Sequence, residues 1–155
     1  MHDWSDEKIR NIMNWHIERY SMEPETWQFT RLTNHHPEVL KLCNLNPGEL
    51  PIVTSFITNL SWYALTTRRI IGTYYGCFVD VRTTDVTKIR FINFKGYGGN
   101  QTEIMTLKII DMPDAQLEFE TGVASMAPIY FRYILGKNPR FDLLEKWMNI
   151  RKTKK

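Results

Sequence analysis

The residues best suited to metal or proton chemistry are the adjacent histidines His35 and His36. On an extended segment their rings point to opposite sides, so one ion does not easily take both. A third ligand would have to come from Glu38 or Cys43, and the His36–Cys43 spacing matches no standard zinc pattern. The pair therefore reads as a polar loop in front of a helix. His16 falls on the apolar face of a helical stretch and reads as a structural histidine. Cys77 lies in Tyr75-Gly76-Cys77-Phe78-Val79, an apolar strand setting that raises a thiol's pKa and leaves it inert. No serine sits in a nucleophile elbow. Gly96-Tyr97-Gly98-Gly99 leads into a strand and not a helix, so it reads as a hairpin loop without the helix N-terminus that a phosphate site exploits. Asp80 and Asp85 are candidates to face one cleft, although Asp85 also fits a turn. No catalytic residue, cofactor or metal ion is assigned, and the chain is expected not to be an enzyme.

Two surfaces are candidates for binding. Lys88 and Arg90 share a face of one strand, with Arg68, Arg69 and Lys95 expected nearby and Tyr74, Tyr75 and Tyr97 interleaved. Such a surface stacks bases and contacts phosphates, but carboxylates nearly balance the cations, so a solvated sheet face is expected and nucleic acid is not. The net charge of +3 is unevenly spread. Residues 1–49 carry five basic and eight acidic side chains, residues 50–150 carry eleven and nine, and Arg151, Lys152, Lys154 and Lys155 supply the excess. That tail reads as a solvated terminus with weak reach for phosphates. Trp4, Trp15, Trp27 and Trp147 lie outside the sheet and are candidates for exposed anchors of a protein interface.

The elements that must position these residues follow from periodicity. With 155 residues, 43% hydrophobic and 13% aromatic, the chain suits one domain with its own core. No apolar run approaches the roughly 20 residues that span a bilayer, and the acidic opening residues, without an apolar stretch, are not expected to act as a secretory signal. Two cysteines, Cys43 and Cys77, outside any CxxC pair make a cytoplasmic location the expectation. Ile9, Ile12, Met13, His16, Ile17 and Tyr20 predict a helix over 5–20. A short helix starts near Pro37 with Val39, Leu40 and Cys43 inward, and Asn46-Pro47-Gly48 breaks it. Residues 1–49 are thus a helical annex that does not fold alone. From residue 50 the texture is β-branched and aromatic, predicting strands at 52–58, 61–66, 68–75, 77–82, 86–95, 102–110 and 115–120. In 86–95 the apolar face switches between Phe91 and Ile92, suggesting a bulge or bend. Ser125 is placed to cap a helix to Leu135, in which Ala127, Tyr130, Phe131, Ile134 and Leu135 cover the sheet. Asn138-Pro139 opens a short final helix carrying Phe141, Leu144, Trp147 and Met148, so residues 137–155 form a terminal helix and basic tail.

The segment Trp62-Tyr63-Ala64-Leu65-Thr66-Thr67-Arg68-Arg69-Ile70-Ile71 resembles the Y-x-L-T-x-x-R-hydrophobic-I signature of bacterial pleckstrin-homology-like domains. Asp85-Val86-Thr87-Lys88-Ile89-Arg90-Phe91 resembles that family's opening of the following strand. The resemblance covers residues 50–136 and implies a partly open, seven-stranded barrel capped by one helix. Relatives that bind phosphoinositides carry Lys and Arg in the first strand connection. Here that connection is Thr58-Asn59-Leu60-Ser61, without a cation, so headgroup binding is not implied. The expected class is α+β: a curved antiparallel sheet or partly open barrel, a C-terminal capping helix, an N-terminal helical annex and a short final helix. The expected role is a protein-binding or scaffolding domain, of the immunity or adaptor type. A membrane-surface adaptor on anionic lipid comes second. A small-molecule enzyme using His35, His36 or Asp85 in the barrel mouth comes third.

Overall fold

The structure is a computed structural model that describes residues 5–137. Helix α1, Asp6–Tyr20, opens on Ser5, whose side chain accepts from the Lys8 N–H at 3.1 Å, and Asp6 and Glu7 sit in its first turn. Acidic side chains there offset the helix's positive end. Its Met13 and Ile17 are buried. The next elements are a two-residue strand β1, Thr30–Arg31, and α2, Pro37–Cys43. Proline opens α2 at no hydrogen-bond cost, and Asn44 ends it in the left-handed region at φ 52°.

Four strands follow: β2 (Pro51–Thr58), β3 (Ser61–Thr66), β4 (Arg69–Tyr74) and β5 (Cys77–Arg82). With β1 they make an antiparallel sheet in the order β1-β2-β3-β4-β5. The β4–β5 turn is the two residues Tyr75 and Gly76, both at positive φ, as a tight hairpin requires. Gly72 in β4 is forced by close approach, since a Cβ there would lie 2.5 Å from the Trp62 carbonyl oxygen. Strands β6 (Val86–Phe91), β7 (Thr102–Ile109) and β8 (Ala115–Glu120) form a second antiparallel sheet in that order. Helix α3, Met126–Lys137, completes the described residues.

The main core lies where the sheets face each other. Val53, Leu65, Ile70 and Val81 pair across the first sheet and meet Ile89, Leu107, Leu117 and Phe119 of the second. Ala127, Phe131 and Ile134 of α3 and Met13 and Ile17 of α1 belong to the same cluster. Each of these side chains apart from Ala127 contributes about 1.5–3 kcal/mol on burial. On the opposite face of the first sheet, α2 lays Val39 and Cys43 over Trp62, Ala64 and Ile71 as a smaller cluster.

The fold is α+β with two antiparallel sheets of five and three strands, and the barrel is not closed. All seven expected strands are present within a residue or two, except that the strand expected over 86–95 ends at Phe91. The Phe91/Ile92 switch is therefore the end of a strand, and the register irregularity of β6 falls between Val86 and Lys88. Strand β1 arises in a stretch expected to be irregular. Leu40 is half-buried instead of inward. Ser125 does not cap α3 from outside. It sits in a 3-10 turn, Gly122–Ser125, and its hydroxyl donates to the Gly122 carbonyl at 2.6 Å. No helix among the described residues is long and apolar enough to cross a membrane. The final helix, Trp4, Trp147 and the basic tail lie outside the described residues.

Candidate functional site

The five basic residues do not act as one surface. Arg69 spends its guanidinium on carboxylates: Nε and Nη2 lie 2.9 Å from the two oxygens of Glu49, and Nη1 lies 3.0 Å from Asp80. The Glu49 side chain is fully buried. Burial alone would raise its pKa, but the bonds from Arg69 and the Thr66 hydroxyl outweigh that and hold the carboxyl below its usual range. Arg68 grips Asp6 at the start of α1 in bidentate fashion, at 3.0 and 2.8 Å, and this contact lowers the Asp6 pKa. The Thr-Thr-Arg-Arg turn thus pins α1, the α2–β2 connection and β5 together. Lys88 and Arg90 are exposed on β6 of the other sheet, and Lys95 is exposed in the turn behind it.

The histidines are structural ties. His35 Nδ1 shares a 2.9 Å hydrogen bond with the Thr54 hydroxyl, and His36 Nε2–H donates to the Phe29 carbonyl at 2.7 Å. Burial pushes the His35 pKa down to about 4 and lowers that of His36, so both rings are neutral at neutral pH. Cys43 is buried, and burial pushes its thiol up to about 12. No group of three or more His, Cys, Asp or Glu side chains is assembled to hold a metal among the described residues. Asp80 and Asp85 are bound to different arginines, Arg69 and Arg82. Cys77 is exposed, contrary to its expected apolar burial: it directly follows the Tyr75-Gly76 turn at the end of the strand, beyond the core that buries Val79 and Val81.

The structure brings together a different set. Tyr20 at the end of α1, Phe91 and Phe94 at the end of β6, and Met126, Ile129, Tyr130 and Tyr133 of α3 line an open cleft of about 630 Å³. Tyr20 stacks on Tyr130 with ring centroids 5.0 Å apart, and Tyr130 meets Tyr133 edge-on at 6.1 Å. The Gly122 N–H donates to the Phe94 carbonyl at 2.8 Å, fixing the post-β6 turn against the start of α3. Along α1 the aromatic surface continues outward, because the Arg19 guanidinium lies over the rings of both Trp15 and Tyr20, at 5.0 and 5.9 Å. Trp15 is 54% exposed, and Tyr20 and Tyr133 are about half exposed. Trp27 is the opposite case. It is buried, with its indole N–H donating to the Met22 carbonyl at 3.0 Å, so it is no surface anchor.

Sequence reasoning placed Tyr20 and Tyr130 on the apolar faces of their helices and did not single out Phe94 or Tyr133. A signal was available in α3, where Met126, Ile129, Tyr130 and Tyr133 form a second apolar stripe beside Ala127, Phe131 and Ile134. Two stripes on one helix mean two surfaces to cover. No family model matches the chain, and neither does a curated protein or a solved structure.

Proposed function

We propose that this chain is a non-enzymatic protein-binding domain, and that the aromatic cleft between α1, α3 and the end of β6 receives a short segment of a partner protein. The observation that carries this reading is the cleft itself. It is apolar and open, it is built by three separate elements, and half-exposed Tyr20 and Tyr133 stand at its rim. Aromatic side chains dominate binding energy at interfaces because they bury much area at little entropic cost. The exposed Trp15–Arg19–Tyr20 row extends the surface along α1. The occupant is a segment presenting two or more large apolar side chains, since the described lining residues carry no charge to recognise an ion.

The arrangement of β2–β5 in one sheet, β6–β8 in the other and a helix behind them supports the resemblance to pleckstrin-homology-like domains. An immunity or adaptor role is compatible with one such surface. A cytoplasmic location remains part of this proposal. The test is a quantitative capture from native lysate with the wild-type chain and with Tyr20→Ala/Tyr133→Ala, both checked for folding by circular dichroism. A stoichiometric partner held by the wild type and lost by the variant supports the reading. Equal capture by both refutes it.

A second reading, an adaptor on an anionic surface, draws on exposed Lys88 and Arg90, with Lys108 opposite Lys88 across the β6–β7 ladder. Sedimentation with vesicles that does not respond to anionic lipid content eliminates it.

A further inference from the structure

Helix α3 carries two apolar stripes, and the core covers one of them. Ala127, Phe131 and Ile134 belong to the main core, while Met126, Ile129, Tyr130 and Tyr133 line the aromatic cleft. Where the described chain stops determines what reaches the second stripe first. Tyr133 lies one turn before Lys137, at which α3 and the described residues end. Residues 138–155 therefore leave α3 beside the cleft. Pro139 bars a straight continuation of α3, because it has no N–H for the Leu135 carbonyl and its ring clashes there. Asn138-Pro139 instead suits the cap and first position of a new helix. Two antiparallel helices joined by a short connection make a helical hairpin.

The sequence of that segment suits the cleft. At helical spacing Phe141, Leu143, Leu144, Trp147, Met148 and Ile150 fall on one half of the wheel, and Asp142, Glu145, Lys146 and Asn149 on the other. Phe141 and Met148 are separated by the same interval as Met126 and Tyr133, so both stripes run about 10 Å along their axes. With the segment antiparallel to α3, Phe141 falls beside Tyr133, Leu144 beside Ile129 and Tyr130, and Met148 beside Met126. We propose that residues 138–150 fold back along α3 as the resident occupant of the aromatic cleft, so that a partner segment binds by displacing them. The displacement rests on the reading of this cleft as the partner's site.

Two other occupants fit less well. Residues 1–4 leave from the far end of α1, about 21 Å along its axis from Tyr20, and so short a segment reaches at most about 14 Å. The same segment of a second copy competes only at the concentration of the chain, whereas a short tether presents its own segment at about 1 mM. At that effective concentration an intrinsic dissociation constant of about 0.1 mM holds the cleft covered about ten to one. A partner of higher affinity still displaces the segment, at about a tenfold cost in apparent affinity.

The experiment is hydrogen exchange read by mass spectrometry on the full chain, wild type and Ile129→Lys, each checked by circular dichroism. An isolated helix of this length is marginal in water, so slowed exchange over residues 141–148 reports docking. Ile129→Lys leaves the segment's own sequence and helix propensity untouched, and Tyr133→Lys, at a half-exposed position, replaces it if it does not fold. The expected result is exchange slowed about tenfold in the wild type, independent of protein concentration, and abolished by the variant. Unprotected exchange in the wild type overturns the proposal. Protection that survives the variant overturns it by placing the segment elsewhere, and protection that grows with concentration overturns it in favour of a second copy. A synthetic peptide of residues 138–150 then probes the cleft from outside. It should bind the full-length variant Leu144→Lys/Trp147→Lys about tenfold more tightly than the wild type, and equal binding overturns the resident segment. Neither measurement involves a partner, so the cleft reading fails separately, when Tyr20→Ala/Tyr133→Ala captures the partner as well as the wild type does.

Discussion

Replacing Arg69 by alanine should cost this protein about 3–5 kcal/mol, because the change strands a buried carboxylate. The Glu49 side chain is fully buried, and Arg69 is the cation that pairs with it directly. After truncation, Glu49 keeps bonds from the Thr66 hydroxyl and from the Asn46 main-chain and side-chain N–H groups but no directly bonded cation. The loss would be a large part of a typical 5–15 kcal/mol total. Arg68→Ala is the internal comparison. Its guanidinium makes an equally well-formed pair with Asp6, but the Arg68 side chain is 44% exposed, so the cost should be at or below about 1 kcal/mol. The double variant Arg69→Met/Glu49→Gln removes both charges and should recover at least about 2 kcal/mol relative to Arg69→Ala. Urea unfolding followed by tryptophan fluorescence measures all three. If Arg69→Ala costs less than about 1 kcal/mol, or no more than Arg68→Ala, the assignment of this motif to structure is wrong.

Other outcomes follow from the same contacts. The folded chain holds His35 neutral down to about pH 4, whereas the unfolded chain protonates it near 6.5. The unfolded state therefore binds more protons between those values, and stability should fall as pH drops from about 6.5 to about 4, by at most about 3 kcal/mol. His35→Gln should flatten that slope in chemical denaturation, and an unchanged slope would contradict the placement of the ring. Asp6 and Glu49 have lowered pKa values, so their contribution is present above about pH 4 and is lost at lower pH. Cys77 should react with a thiol reagent in the native state and Cys43 only on unfolding, and two fast thiols would contradict the α2 packing. Glu120→Ala should cost about 2–4 kcal/mol in urea titration, since it leaves the Gln28, Phe29 and Thr30 N–H groups without their acceptor. A neutral result would mean that β1 is not held by β8.

What was legible in the sequence was local. Alternation in Ala115–Glu120, the turn residues around Gly96 and the apolar stripe of α1 depend on neighbours along the chain, and the structure has each where periodicity put it. Partners distant in sequence were not legible. Arg68 and Arg69 look like free surface cations until Asp6, Glu49 and Asp80 arrive from three other elements. Trp27 looked available as an anchor, yet it is buried in the main core with side chains from both sheets. Strand β1 could not be read because only its pairing with β2 and the Glu120 carboxylate, about 90 residues later, make it a strand. The aromatic cleft is the extreme case, since Tyr20, Phe94 and Tyr133 become one surface only when α1 packs on α3.

The most direct test of the central claim is a calorimetric titration of the partner captured by the native chain, set against the wild type and Tyr20→Ala/Tyr133→Ala. The account predicts one binding site on the wild type and affinity weakened by tenfold or more in a variant that keeps its circular dichroism spectrum. Unchanged affinity in that folded variant would contradict it and place the binding surface elsewhere on the molecule.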